Sequence, residues 1–155
     1  MTGPLRTLAI LSAAFGLVAC AASPPLYQRV ADKPFKEVLE DAEFAVTERN
    51  FRVAASLHIG AAIRERGAAE FPDVEVILFC NLAYARRMLE PRPEFVNYCP
   101  GRITLRAENG RTHISASLLP ERTGDPALDV LMRELNTIIR AMVDYAVEEW
   151  AQNVQ

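Results

Sequence analysis

Asn109-Gly110 sits between two segments, Arg102 to Glu108 and Arg111 to Leu118, in which polar and apolar side chains alternate. A two-residue type I′ turn needs positive φ at both central positions, which Asn and Gly adopt at little cost, so the stretch predicts a β-hairpin. The turn also sets the register. With Glu108 opposite Arg111, the pairs Arg106/His113, Thr104/Ser115 and Arg102/Ser117 share one face, while Ile103, Leu105, Ile114 and Ala116 line the other. A sheet grown from this hairpin has a polar face and an apolar face, and the apolar face must be covered.

Two helical stripes can supply the cover. After Asp125-Pro126, a helix-starting pair, Leu128, Leu131, Leu135, Ile138, Met142, Ala146 and Trp150 recur at helical steps and predict a long amphipathic helix. After Lys33-Pro34, Phe35, Val38, Leu39, Ala42, Ala45 and Val46 mark a second helix running to about Arg49. Leu26 to Ala31 reads as a first strand. Phe51, Val53, Ala55, Leu57 and Ile59 alternate with Arg52, Ala54, Ser56 and His58, which predicts a half-buried strand. Gly60 to Gly67 suits a short helix, Val74 to Phe79 a central strand, and Asn81 to Leu89 a helix with Asn81 as N-cap, stopped by Pro91 and Pro93. The resulting β-α-β(4)-α order predicts an α+β fold, an antiparallel sheet with helices packed on one face.

The N-terminus has a different logic. Met1 to Arg6 carries one cation, Thr7 to Val18 carries no charge, and Leu17-Val18-Ala19-Cys20 closes the run with a lipoprotein-type order. The apolar stretch is shorter than the ~20 residues a spanning helix needs, so residues 1–19 read as a lipoprotein signal peptide. Cys20 then becomes the lipidated first residue, bearing palmitate-like acyl chains, and residues 20–25 form a tether ahead of a single α+β domain, 26–155. Acyl chains anchor by burying methylenes, each worth about 0.8 kcal/mol. The expected location is the periplasmic side of a membrane in the cell envelope, and Ala21 after the modified cysteine favours the outer membrane. The charge balance, 17 Lys plus Arg against 20 Asp plus Glu for a net −3, lacks the concentrated basic face that nucleic acid requires.

Several landmarks carry a family resemblance: Phe51-Arg52-Val53, Val76-Ile77-Leu78-Phe79-Cys80-Asn81, Ala85 with Met88-Leu89, and Tyr98-Cys99-Pro100-Gly101-Arg102-Ile103. Across Leu26 to Pro120 the chain resembles the domain-of-unknown-function family 302, DUF302. The sequence departs from that pattern at Leu82, where proline is frequent, and at Cys99-Pro100, where the order is often reversed. The resemblance implies a TATA-binding-protein-like fold and a homodimer, and it implies no activity.

Three groups of side chains can carry chemistry. With Cys20 lipidated, Cys80 and Cys99 remain as a pair in an oxidising space, which leaves open a structural disulfide, buried thiols, a redox pair or a soft-metal site aided by the helix after Cys80. His58 and His113, phased toward the polar sheet face, can join Glu75 or Ser115 as a ligand or metal site. Arg102, Arg106 and Arg111, with Thr104 and Ser117 between them, can receive an anion, and Asn81 stands beside Cys80. No nucleophile elbow, phosphate loop, zinc helix or paired-carboxylate motif is present. The expected function is a non-enzymatic envelope lipoprotein that binds a small molecule or a protein partner, without cofactor or bound metal; the alternative is redox or soft-metal handling through Cys80 and Cys99.

Overall fold

Asn109 and Gly110 both take positive φ, 52° and 75°, and join β4 (Gly101–Glu108) to β5 (Arg111–Ser117) in the register expected, with Glu108 opposite Arg111 and Arg106 opposite His113. The computed structural model describes residues 25–149; the segment expected to be a signal peptide, Cys20, the expected tether up to residue 24 and Trp150 lie outside the described residues. The other elements are β1 (Leu26–Ala31), α1 (Phe35–Glu48), β2 (Arg52–Leu57), α2 (Ile59–Arg64), β3 (Val74–Cys80), α3 (Leu82–Leu89), a 3₁₀ helix (Pro93–Tyr98) and α4 (Pro126–Val147). Among the described residues the strands form one antiparallel sheet in the order β1-β5-β4-β3-β2, covered by helices on one face.

The helix-facing side of the sheet carries Ile77, Phe79, Ile103, Leu105, Ile114 and Ala116, all buried. Val38, Ala42, Ala45 and Val46 of α1 pack there, beside an α4 stripe of Leu128, Leu131, Met132, Leu135, Ile139, Met142, Val143 and Ala146. Small residues at positions 42 and 45 let α1 lie close to the sheet. Ile139 takes the place in the stripe expected for Ile138, which sits at its margin. Asp125 caps α4 by accepting from the backbone N–H groups of Ala127 and Leu128 at 2.9 and 3.3 Å.

In β2 the expected alternation fails, because the register shifts between Val53 and Ala55. A β-bulge of this kind puts an extra residue into one strand and exchanges the two faces beyond it. Val53 therefore faces the core, whereas Ala55 and Leu57 share the open face with Leu78 and Val76, their partners in β3. Ser56 turns to the helices, where its hydroxyl donates to Glu43 at 2.7 Å. Periodicity alone cannot locate a bulge, and every residue after it moves by one face.

α4 also buries a polar residue, Asn136, which is 2 % exposed. Its side-chain carbonyl accepts from Leu119 N–H at 2.8 Å, and its amide donates to Leu119 C=O at 3.0 Å and to Glu121 at 3.0 Å. The pairing imitates one rung of a sheet ladder and fastens the chain leaving β5 to the helix. Replacing Asn136 by Leu strands a buried N–H and a buried C=O on Leu119, so N136L is expected to lose about 2–4 kcal/mol in chemical denaturation. A loss below about 0.5 kcal/mol, within the range of an ordinary surface change, would show that Leu119 finds other partners.

Candidate functional site

Neighbouring antiparallel strands can be joined by two residues, as β4 and β5 are, yet β3 and β4 are joined by residues 81–100. That excursion folds over the sheet end where β3 leaves and β4 enters. Asn81 starts it. Its carbonyl accepts from Ala83 and Tyr84 N–H at 2.9 and 3.2 Å, capping α3, and its amide donates to Asn50 C=O at 2.8 Å. Asn50 has φ 61° and ends α1, with its own N–H bonded to Thr47 C=O and Phe51 N–H to Val46 C=O, the paired closure of a left-handed helix stop. One asparagine thus ties the end of α1 to the start of α3. Arg92 makes a second tie, donating to Thr123 C=O at 2.9 Å ahead of α4.

Between this roof and the sheet end lies a cavity of about 280 Å³. Phe51 stacks on Tyr84 at 5.7 Å and meets Phe79 edge-on at 5.7 Å, forming one wall; Leu135 and Ile139 of α4 line it as well, as does Met88. Gly101 stands so close to Phe79 that a Cβ there would lie 2.7 Å from the ring, so a side chain at this position would push the wall inward. Cys80, leaving β3, and Cys99, entering β4, bring their sulfurs within 2.9 Å on the cavity lining. Burial, and then the hydrogen bond to Cys80, push the Cys99 thiol up to about 12. Of the alternatives left open by the sequence, this protonated Cys99 fits buried thiols better than a thiolate pair. Arg102 and Ser117 complete the lining on the open-face side, and Arg102 Nη2 donates to Ser117 Oγ at 3.1 Å.

Of the residues singled out from sequence, Cys80, Cys99, Arg102 and Asn81 come together here, although Asn81 serves as cap and tie, its amide and carbonyl both engaged. The two histidines do not join them. His58 precedes α2 beyond the end of β2, with Nδ1 2.7 Å from Oε1 of Glu75, whose side chain is buried on the helix-facing side of β3 beside Leu105 in register. His113 lies two strands away from β3 on the other face, against Arg106 and Glu108 at 3.3 Å each. The structure thus brings His58 and Glu75 together and leaves His113 apart from them, because Glu75 shares the helix-facing side of β3 with Ile77 and Phe79 while His113 is on the other face. No cluster of three His, Cys, Asp or Glu side chains suited to a metal occurs among the described residues. The cavity walls Phe51, Tyr84, Leu135 and Ile139 were not singled out, and the length of the β3–β4 connection is the signal that points to them.

The two-layer α+β fold with a pocket at one sheet end defines the class, and the sequence places the chain within it. Residues 27–146 match the family described as Domain of unknown function DUF302, and the chain belongs to that family. A solved structure similar to it is the crystal structure of the uncharacterized conserved protein DUF302 from Bacillus stearothermophilus, at 20% sequence identity and a TM-score of 0.69, covering 79% of this chain and 98% of that one. At that identity the likeness speaks for the fold. No match was found among curated proteins.

A thiol whose pKa rises on folding keeps its proton where the unfolded chain ionises, so this contribution to stability is intact below about pH 8.5. It is lost as the pH climbs toward about 12. Alkylation requires thiolate. In the reduced, folded chain at pH 8, iodoacetamide is expected to label Cys99 at least about tenfold more slowly than in guanidinium, read by peptide mass spectrometry. Equal rates would contradict a half-buried, protonated Cys99.

Proposed function

We propose that this chain is a non-enzymatic ligand-binding domain of the cell envelope, tethered through lipid on Cys20 and receiving a small molecule in the cavity at the end of its sheet. The observation that carries this reading is the cavity itself, walled by aromatic and aliphatic side chains with a few polar groups at one side, the usual make-up of a small-molecule site. The tether enters at the same end. Leu26 pairs with Ser117, which lines the cavity, and residues 20–25 span at most about 20 Å when extended, so a lipid on Cys20 keeps the cavity near the membrane surface. In this reading Ala21 favours the outer membrane, and a second copy covers the open sheet face, where Leu57 is exposed beside half-buried Val76 and Leu78. No described helix is long and apolar enough to cross a membrane, which leaves the anchoring to the N-terminal segment in this proposal.

A second reading, redox or soft-metal handling, draws on the 2.9 Å approach of Cys80 and Cys99. The raised pKa of Cys99 weighs against it, since exchange and metal ligation both begin from thiolate. Two adjacent sulfurs in an apolar wall suit packing and, under oxidising conditions, a structural bridge.

Indole is a fitting first probe because it is flat, soluble and smaller than the cavity. At a hundred times its dissociation constant a ligand stabilises by about 2.7 kcal/mol, which for a domain of this size raises the melting midpoint by roughly 8 °C. Indole is expected to raise the midpoint of the full chain, and Ala85→Leu, which fills space from α3, is expected to abolish the shift. An equal shift in A85L would place the binding elsewhere. The anchor is tested separately: mass spectrometry of the membrane fraction should find Cys20 as an acylated N-terminal residue, and an unmodified Cys20 there would end the lipoprotein reading.

A further inference from the structure

The three arginines of the open face have different fates. Arg106 donates to Glu108 at 2.7 Å, and Arg111 donates to Asp32 at 2.7 Å, so each is neutralised by a carboxylate. Arg102 has no carboxylate within ion-pair distance among the described residues, and its partner is the neutral hydroxyl of Ser117. It is also the one charged side chain on the cavity lining, which includes no Asp or Glu. Ser117 Oγ accepts from Arg102 and keeps its own hydrogen to donate. The apolar walls thus end, on one side, in a guanidinium and a hydroxyl that are both free to donate.

We infer that the cavity takes a small amphipathic monocarboxylate, its apolar body between Phe51, Tyr84, Leu135 and Ile139 and its carboxylate on Arg102 and Ser117. The inference rests on the reading of the cavity as a ligand site and adds the charge and size of the ligand. Size follows from volume. A cavity of ~150 Å³ holds benzene. About 280 Å³ therefore suits a body and head of roughly a dozen non-hydrogen atoms. Charge follows from the donors: a planar guanidinium matches a carboxylate in two parallel hydrogen bonds, whereas a phosphate dianion calls for a second cation that the lining does not carry. The neighbouring Cys99, held protonated, adds no negative charge to repel the head group.

The test compares 4-phenylbutyrate with 4-phenylbutyramide, which have the same shape and differ in charge, by isothermal titration of the full chain. The acid is expected to bind about tenfold or more tightly than the amide, the scale of one charge-assisted hydrogen-bond pair at a partly exposed site. Arg102→Gln is expected to bring the acid down to the affinity of the amide, and Ser117→Ala to narrow the gap by a smaller factor. Equal binding of acid and amide, or a preference that survives in R102Q, overturns the inference while leaving a ligand site in place. If neither compound binds and indole gives no shift, the cavity reading itself falls, and the inference with it.

Discussion

Ile77, Ile103, Leu105 and Ile114 present an apolar face that leaves water only because α1 and α4 lie across it, and each such side chain contributes on the order of 1.5–3 kcal/mol when fully buried. Both helices must therefore be held against the sheet along their length. Lys33 does part of this at the junction of β1 and α1. Its side chain is 6% exposed, reaches Asp41 and Glu37 of α1, and donates to Glu148 C=O just past α4 at 3.0 Å. Burial works against the charged ammonium, but the carboxylates outweigh it and its pKa lies above the usual lysine value. A buried cation left without those carboxylates would be strongly destabilising, so the position depends on all three partners together.

The same covering arrangement explains why a cavity exists. α1 stops at Asn50, and the polar contact of Asn136 with Leu119 holds the chain after β5 close to α4, which leaves the sheet end between them without a helix of its own. Residues 81–100 close that end only partly. Their docking is made of discrete ties: Asn81 to Asn50, Arg92 to Thr123, and the Tyr84 hydroxyl to Glu134 of α4 at 2.8 Å. Ties of this kind set the position of a roof without filling the space beneath it. Packing at native density would have needed a large side chain where Ala85 stands.

Much of the fold was legible because its strongest signals are local. The Asn109-Gly110 turn set a register that the sheet keeps throughout β4 and β5, and Asp125-Pro126 and Asn81 both cap the helices they precede. What periodicity missed was non-local. The β2 bulge is a defect of alternation that single residues do not announce, and it carried Ala55, Leu57 and His58 away from their expected positions. Asn136 lies in an apolar stripe and is polar, and only its partner Leu119, in another segment, explains why. The cavity was illegible for a related reason. Its walls are drawn from the end of α1, both ends of the β3–β4 connection and the middle of α4, so no sequence window contains two opposite sides of it. Cys80 and Cys99 could be paired as candidates because both flank strand ends, but their place on a cavity wall follows from the long connection between them.

The groups that line the cavity also bear on what kind of event it can host. General acid–base catalysis needs a side chain that exchanges a proton near neutral pH, and nucleophilic catalysis needs an activated thiolate, alkoxide or amine. Burial and the contact with Cys80 hold Cys99 protonated, and Asn81 is spent on the backbone of α3 and α1. His58 and His113, the two histidines of the sequence, lie outside the lining. Beside Cys99 and Asn81 the lining carries the Tyr84 and Tyr98 rings, the Ser117 hydroxyl and apolar walls. The Arg102 guanidinium and the apolar walls can select a ligand by sign and shape and hold it, which is the physical ground for the proposal that the site binds a small molecule.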